Sequence, residues 1–133
     1  WEFKHDEIGF NYRMPNLNAA LACAQLEKLD FYIQNKREIS DLYFEFFKNN
    51  NEIKLIREVR QSKSNYWLNS IILKDKKQRD NFLKFTNDNG IMTRPVWCLM
   101  NKLDMFQNSP RSNLKTAEWL EERVVNITSS VRI

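Results

Sequence analysis

Apolar positions recur at three- and four-residue intervals from about Pro15 to Asn49. Leu21, Leu26, Leu29 and Ile33 come first, then Ile39, Leu42, Tyr43, Phe46 and Phe47. That spacing lays an apolar stripe along a helix. The span exceeds an ordinary helix, so a bend or break is expected near Asp30 to Asn35, giving two helices. The first of them carries Ala19, Ala20, Ala22, Cys23 and Ala24 and almost no polar face. This predicts a buried helix whose small residues let a neighbouring backbone come close. Pro15 suits its first turn, where a missing N–H costs nothing. The Phe and Tyr stripe of the second helix reads as core or as subunit interface, and Asn49-Asn50-Asn51 ends it.

Beyond Asn51 the period changes. Ile53, Leu55 and Val59 alternate with charged residues, the pattern of a half-buried strand. Gln61 to Asn65 reads as a loop. Tyr66 to Leu73 is apolar on both faces and predicts a central strand. Asp75, with Gln78 three residues on, has the form of a helix N-terminal capping box. Phe82 and Phe85 are expected to face inward, and Gly90 to end that helix in the left-handed conformation. Ile91 to Arg94 predicts a third strand, stopped by Pro95. Trp97 to Arg111 looks irregular but rich in large side chains. Such loops either line sites or fold back over a core. Ser112 or Asn113 caps a last helix through Leu114, Ala117, Leu120 and Val124, and Val125-Asn126-Ile127 reads as a short edge strand. The order of elements predicts an α+β fold, a small and mainly antiparallel sheet with flanking helices on one face.

A length of 133 residues fits one domain. With 42% hydrophobic residues the chain is globular, and no apolar run has the length of a membrane span. It begins with Trp1, which suggests processing or excision from something longer, and nothing at the start reads as a signal peptide. Cys23 and Cys98 are far apart and read as free thiols of a reducing compartment. Asn126-Ile127-Thr128 matches a glycosylation sequon, set aside for want of a secretion signal. The net charge is +4, with basic groups at Arg57, Arg60 and Lys63 and at Lys74, Lys76, Lys77 and Arg79. Interspersed acids make this a solvated mixed-charge surface, and no nucleic-acid motif accompanies it.

Self-contained chemistry is missing. Two glycines, Gly9 and Gly90, leave no glycine-rich phosphate loop. No serine lies in a nucleophile elbow. His5 is the only histidine, and no second histidine or cysteine stands at ligand spacing, which argues against a metal. It reads either as a surface histidine or as a general base.

The distinctive stretch is Gly9-Phe10-Asn11-Tyr12-Arg13-Met14, followed by Asn18-Ala19-Ala20-Leu21 and Gln25-Leu26-Glu27. A polar, basic turn stands just before a helix, where an amide, a phenol and a guanidinium can address a ligand, and Arg suits a phosphorylated anion. By its residues alone, Arg13 could equally pair with a carboxylate and Asn11 close a turn. The stretch resembles the signature of the DegT/DnrJ/StrS family, sugar-nucleotide aminotransferases dependent on pyridoxal 5'-phosphate. Thr93-Arg94-Pro95-Val96-Trp97 and Asn126-Ile127-Thr128-Ser129-Ser130-Val131 are similar to it too. The subgroup it suggests makes 4-amino sugars of the legionaminic-acid or perosamine kind.

The resemblance implies that residues 1–133 are the single small C-terminal domain of a longer enzyme with an aspartate-aminotransferase-like fold. Residues 1–14 would lead in from the large domain. That large domain would supply the lysine that bonds the cofactor and the aspartate on its pyridine nitrogen. The fragment alone would then be inactive. Asn11 and Arg13 match cofactor-binding positions, with Asn11 reaching the cofactor phosphate of the other subunit. Tyr12 would position the turn. Arg94 and Trp97 match substrate-facing positions. Implied partners are a nucleotide sugar and glutamate, in a cytoplasmic homodimer without nucleic-acid or membrane contacts. Two alternatives stand beside this: a cofactor-dependent sugar dehydratase of the same family, and a non-catalytic basic binding module. The family usually has proline where this chain has Thr128.

Overall fold

A computed structural model describes Lys4, residues 6–10 and residues 13–132. The expectations for Phe3, His5, Asn11 and Tyr12 lie outside the described residues. Four helices and four strands follow in the order α1 (Asn16–Leu26), α2 (Leu29–Phe47), β1 (Lys54–Leu55), β2 (Asn69–Ile72), α3 (Lys76–Asp88), β3 (Arg94–Pro95), α4 (Lys115–Glu121) and β4 (Val124–Ile127). Two short 3-10 turns, Met100–Lys102 and Asp104–Phe106, lie in the stretch expected to be irregular.

The sheet has the order β1-β2-β4-β3, and every neighbouring pair is antiparallel. The α+β expectation holds. β2 is interior, as its two-faced apolar pattern predicted. β4 is interior too, which corrects its reading as an edge strand. All four of its residues are buried, and it pairs with both β2 and β3. A four-residue strand at the end of a chain gives no local sign of which strands will flank it. β3 takes the edge instead, so Pro95 sits inside it, where a missing N–H is tolerated. β1 is shorter than expected, and Val59 is exposed.

Ile71, Leu73, Leu83, Val125 and Ile127 form the core, with Tyr43, Phe47, Ile53, Leu55 and Phe82 packed against it. α2 and α3 thus cover the sheet face that carries Ile71 and Val125. Phe85 stays exposed, against expectation, because it lies two residues from Leu83, on the far side of α3 from that core residue. Asp75 caps α3 by accepting from Gln78 N at 2.8 Å. The Gln78 side chain returns to Lys74 N at 2.8 Å, one residue earlier than a regular capping box. At the other end Gly90 has φ +74°, Gly90 N donates to Asn87 O and Ile91 N to Thr86 O, a Schellman closure.

Two expectations for the first helices fail. The break falls at Glu27–Lys28, before Asp30. No residue of α1 is buried, and Leu17, Leu21 and Leu26 are exposed along with Cys23. Its small-residue surface has no covering element among the described residues, so composition alone overstated its burial. Asn126 is a buried strand residue accepting from Ser70 Oγ at 2.7 Å, which rules it out as a glycosylation acceptor in this fold. No described helix is long and apolar enough to cross a membrane, and no described cluster of three His, Cys, Asp or Glu could hold a metal ion.

Candidate functional site

Two stretches, one around Arg13 and one from Thr93 to Trp97, carry the expected site residues, and the fold places them differently. Arg13 is exposed just before α1. Arg94 opens β3 opposite Asn126 of β4, which in turn pairs with Ser70 of β2. The register therefore aligns Ser70, Asn126 and Arg94 across three strands, on the face opposite Ile71 and Val125. Thr93, buried just before Arg94, is held to the end of α3: its Oγ1 lies 2.6 Å from Thr86 Oγ1, and Asn87 Nδ2 donates to its carbonyl at 3.1 Å. That clasp fixes where β3 starts and so where Arg94 stands.

Trp97, two residues past β3, has its ring 6.1 Å from the ring of Trp67, the planes 29° apart. It also lines a cavity of about 260 Å³ walled by four cationic side chains and two carboxylates, among them Lys76, Arg79, Lys102, Glu121 and Glu122. Arg94 is not on that wall. Glu121 binds Lys102 and accepts from Leu99 N at 2.9 Å, and this pairing raises the Lys102 pKa. Lys76 and Arg79 both pair with Asp80.

Trp67 stands at the end of a loop that sequence reasoning did not connect to any site. Arg37 of α2 donates to both oxygens of Glu58, at 2.6 and 3.1 Å, and to Ser64 O at 2.7 Å. Ser64 N donates to the same carboxylate at 2.8 Å. The Arg37 fork and the Ser64 amide together pull the Glu58 pKa down to about 2. Tyr66, buried at φ +44°, lies between the guanidinium groups of Arg37 and Arg57. Arg57, read as part of a basic surface, also pairs with Asp41 and covers Phe44, so it serves packing. Asn65 Oδ1 accepts from Trp67 N at 3.0 Å. Lys36 Nζ reaches Ser129 O at 2.6 Å and Trp67 O at 3.4 Å, and burial lowers its pKa. No local pattern could have signalled this hub, because its partners come from α2, a loop and the C-terminal stretch.

The C-terminal motif proves to be a fastening. Tyr43 Oη donates to Thr128 O at 2.9 Å and lies 2.6 Å from Thr128 Oγ1. Ser129 Oγ accepts from Asn69 N at 2.7 Å and donates to Ile127 O. Thr128, the departure from the family pattern, thus makes a hydrogen bond that proline could not.

The whole of residues 1–133 matches the DegT/DnrJ/EryC1/StrS aminotransferase family. The chain belongs to that family. It is 34% identical to a GDP-perosamine synthase of Escherichia coli O157:H7 over 96% of its own length and 34% of the relative's. A GDP-perosamine synthase of Vibrio cholerae is 35% identical over 78% of the chain and 29% of that protein. The chain therefore spans about a third of the curated relatives it matches. Among solved structures, PseC of Helicobacter pylori, described as an aminotransferase of pseudoaminic acid biosynthesis, superposes with a TM-score of 0.77 at 22% identity, over 91% of this chain and 33% of that one. An E. coli GDP-4-keto-6-deoxy-D-mannose-3-dehydratase with bound hydrated pyridoxal phosphate gives 0.75 at 22%, over 91% and 32%. Both share the fold. The antiparallel sheet and its helices are thus a piece of the aminotransferase fold.

Pyridoxal 5'-phosphate is the cofactor of this family. Arg13 offers an exposed guanidinium suited to a phosphate. Three of the described lysines are already engaged: Lys36 by two carbonyls, Lys76 by Asp80 and Lys102 by Glu121.

Proposed function

We propose that this chain is the C-terminal domain, residues 1–133, of an enzyme that transfers an amino group from glutamate to a keto-sugar nucleotide. The product would be a 4-amino sugar for surface polysaccharide. The 34% identity to a perosamine synthase across 96% of the chain carries this reading. A Campylobacter jejuni transaminase acting on a UDP-linked amino sugar, 33% identical over 55% of the chain, supports it. The dehydratase neighbour shares the fold alone, so identity to the synthases favours amination over dehydration.

Bound pyridoxal phosphate supplies the electron sink for such chemistry. In this reading the chain's own part is to bind and orient. Asn11 and Arg13 hold the cofactor phosphate, Asn11 across a homodimer interface, and residues 1–14 lead in from the large domain. Arg94 meets the substrate diphosphate or the donor carboxylate, and Trp97 faces the substrate. The exposed apolar residues of α1 suit a subunit contact. The enzyme would work in the cytoplasm.

The test is the full-length protein with pyridoxal phosphate, glutamate and a 4-keto sugar nucleotide. The expected products are the amino-sugar nucleotide and 2-oxoglutarate. Borohydride reduction and peptide mapping should place the cofactor on a lysine outside this chain. A deoxygenated sugar in place of an amino sugar would mean dehydration. No product and no cofactor label would remove the reading.

A further inference from the structure

Trp67 and Trp97 come from different loops, one leading into β2 and one leaving β3, yet their indoles meet face to face with the offset that aromatic pairs prefer. They remain 63% and 51% exposed. A pair packed for the core would be covered. The backbone that carries Trp67 is held in place: its amide N–H donates to Asn65 Oδ1, its carbonyl accepts from Lys36, and the loop before it is held by Arg37, Glu58 and Ser64. The result is a stacked indole pair whose outer π-faces are open to solvent. On its Trp97 side it borders the cavity walled by four cations and two carboxylates.

We propose that an exposed outer face of the stacked Trp67–Trp97 pair is a stacking shelf for the planar base of a nucleotide, with the cavity beside Trp97 open to the rest of the ligand. The inference rests on the sugar-nucleotide reading above for its ligand class, and it adds Trp67 as a binding residue. Every base has a π-face, so such a shelf contributes affinity with little choice among bases. Discrimination between nucleotides then falls to groups outside the shelf. Lys36, Arg37 and Glu58 act as positioning residues, holding the backbone of the loop that carries Trp67.

The test uses the full-length enzyme with GDP and UDP as probes and ribose 5-phosphate as the base-free control. GDP and UDP should quench tryptophan fluorescence saturably, and ribose 5-phosphate should not. Trp67→Ala should weaken binding of both nucleotides roughly tenfold or more. Trp67→Phe should retain most of it, because a ring remains. Unchanged far-UV circular dichroism and melting temperature would verify that the variants fold. Nucleotide affinity unmoved by Trp67→Ala, or ribose 5-phosphate binding as well as GDP, overturns the shelf. So does a dimer lost in Trp67→Ala with nucleotide affinity intact, which would assign the indoles to a subunit contact. Amino transfer is scored separately on the wild type. Ring-dependent nucleotide binding without amino transfer removes the transaminase reading and leaves the shelf; amino transfer with affinity indifferent to Trp67 does the reverse.

Discussion

Glu58, the one carboxylate of its loop, accepts three hydrogen bonds: two from Arg37 and one from the Ser64 amide. Its folded pKa of about 2 lies below the ordinary 4.5. A depressed carboxylate contributes stability that is present above the unfolded pKa and is lost as pH falls through the folded one. The melting temperature of Glu58→Gln should therefore lie below wild type at neutral pH, and the gap should close between pH 4.5 and pH 2. A gap that persists at pH 2 would mean that packing, not charge, makes the difference. Arg13 belongs to the same scale. On the proposed phosphate-binding role, Arg13→Ala in the full-length protein should weaken pyridoxal phosphate binding about tenfold, the worth of one charge-assisted hydrogen bond, with the oligomeric state unchanged by sedimentation. Unaltered cofactor affinity would return Arg13 to an ordinary surface role.

At the scale of elements, α3 is fastened at both ends by signals visible in the sequence. Asp75→Ala removes the acceptor for Gln78 N and should cost about 1 kcal/mol in urea unfolding. Gly90→Ala meets no atom within 4 Å, so its cost comes from the +74° backbone alone, about 1–2 kcal/mol. The interior pair β2 and β4 behaves differently. Ile71 is fully buried between them and α3, so Ile71→Ala should cost about 2–5 kcal/mol, more than either cap. If the cap variants proved the costlier, the core would lie elsewhere than the Ile71–Val125 face.

For the whole molecule, the unexpected feature is α1. Leu17 and Leu21 lie one turn apart and are 80% and 62% exposed. In the homodimer proposed for the full-length protein, changing both to Gln should weaken association in sedimentation velocity while leaving the melting behaviour of α2 and α3 unchanged. A dimer indifferent to both changes would remove α1 from the interface.

Local signals in this chain determined what local physics governs. Helical period located α1, α2 and α3, Asp75 and Gly90 bounded α3, the two-faced run at β2 marked an interior strand, and the Gly9–Met14 stretch pointed to the right family. Each of these depends on residues a few positions apart. Strand order, the exposure of α1 and the meeting of Trp67 with Trp97 depend on parts distant in sequence. Lys36 meets Ser129 across 93 residues, Tyr43 meets Thr128 across 85, and Asn69 meets Ser129 across 60. No periodicity encodes such meetings. They form when the sheet closes and the terminal strand enters between β2 and β3, and only then are the loops before β2 and after β3 brought side by side.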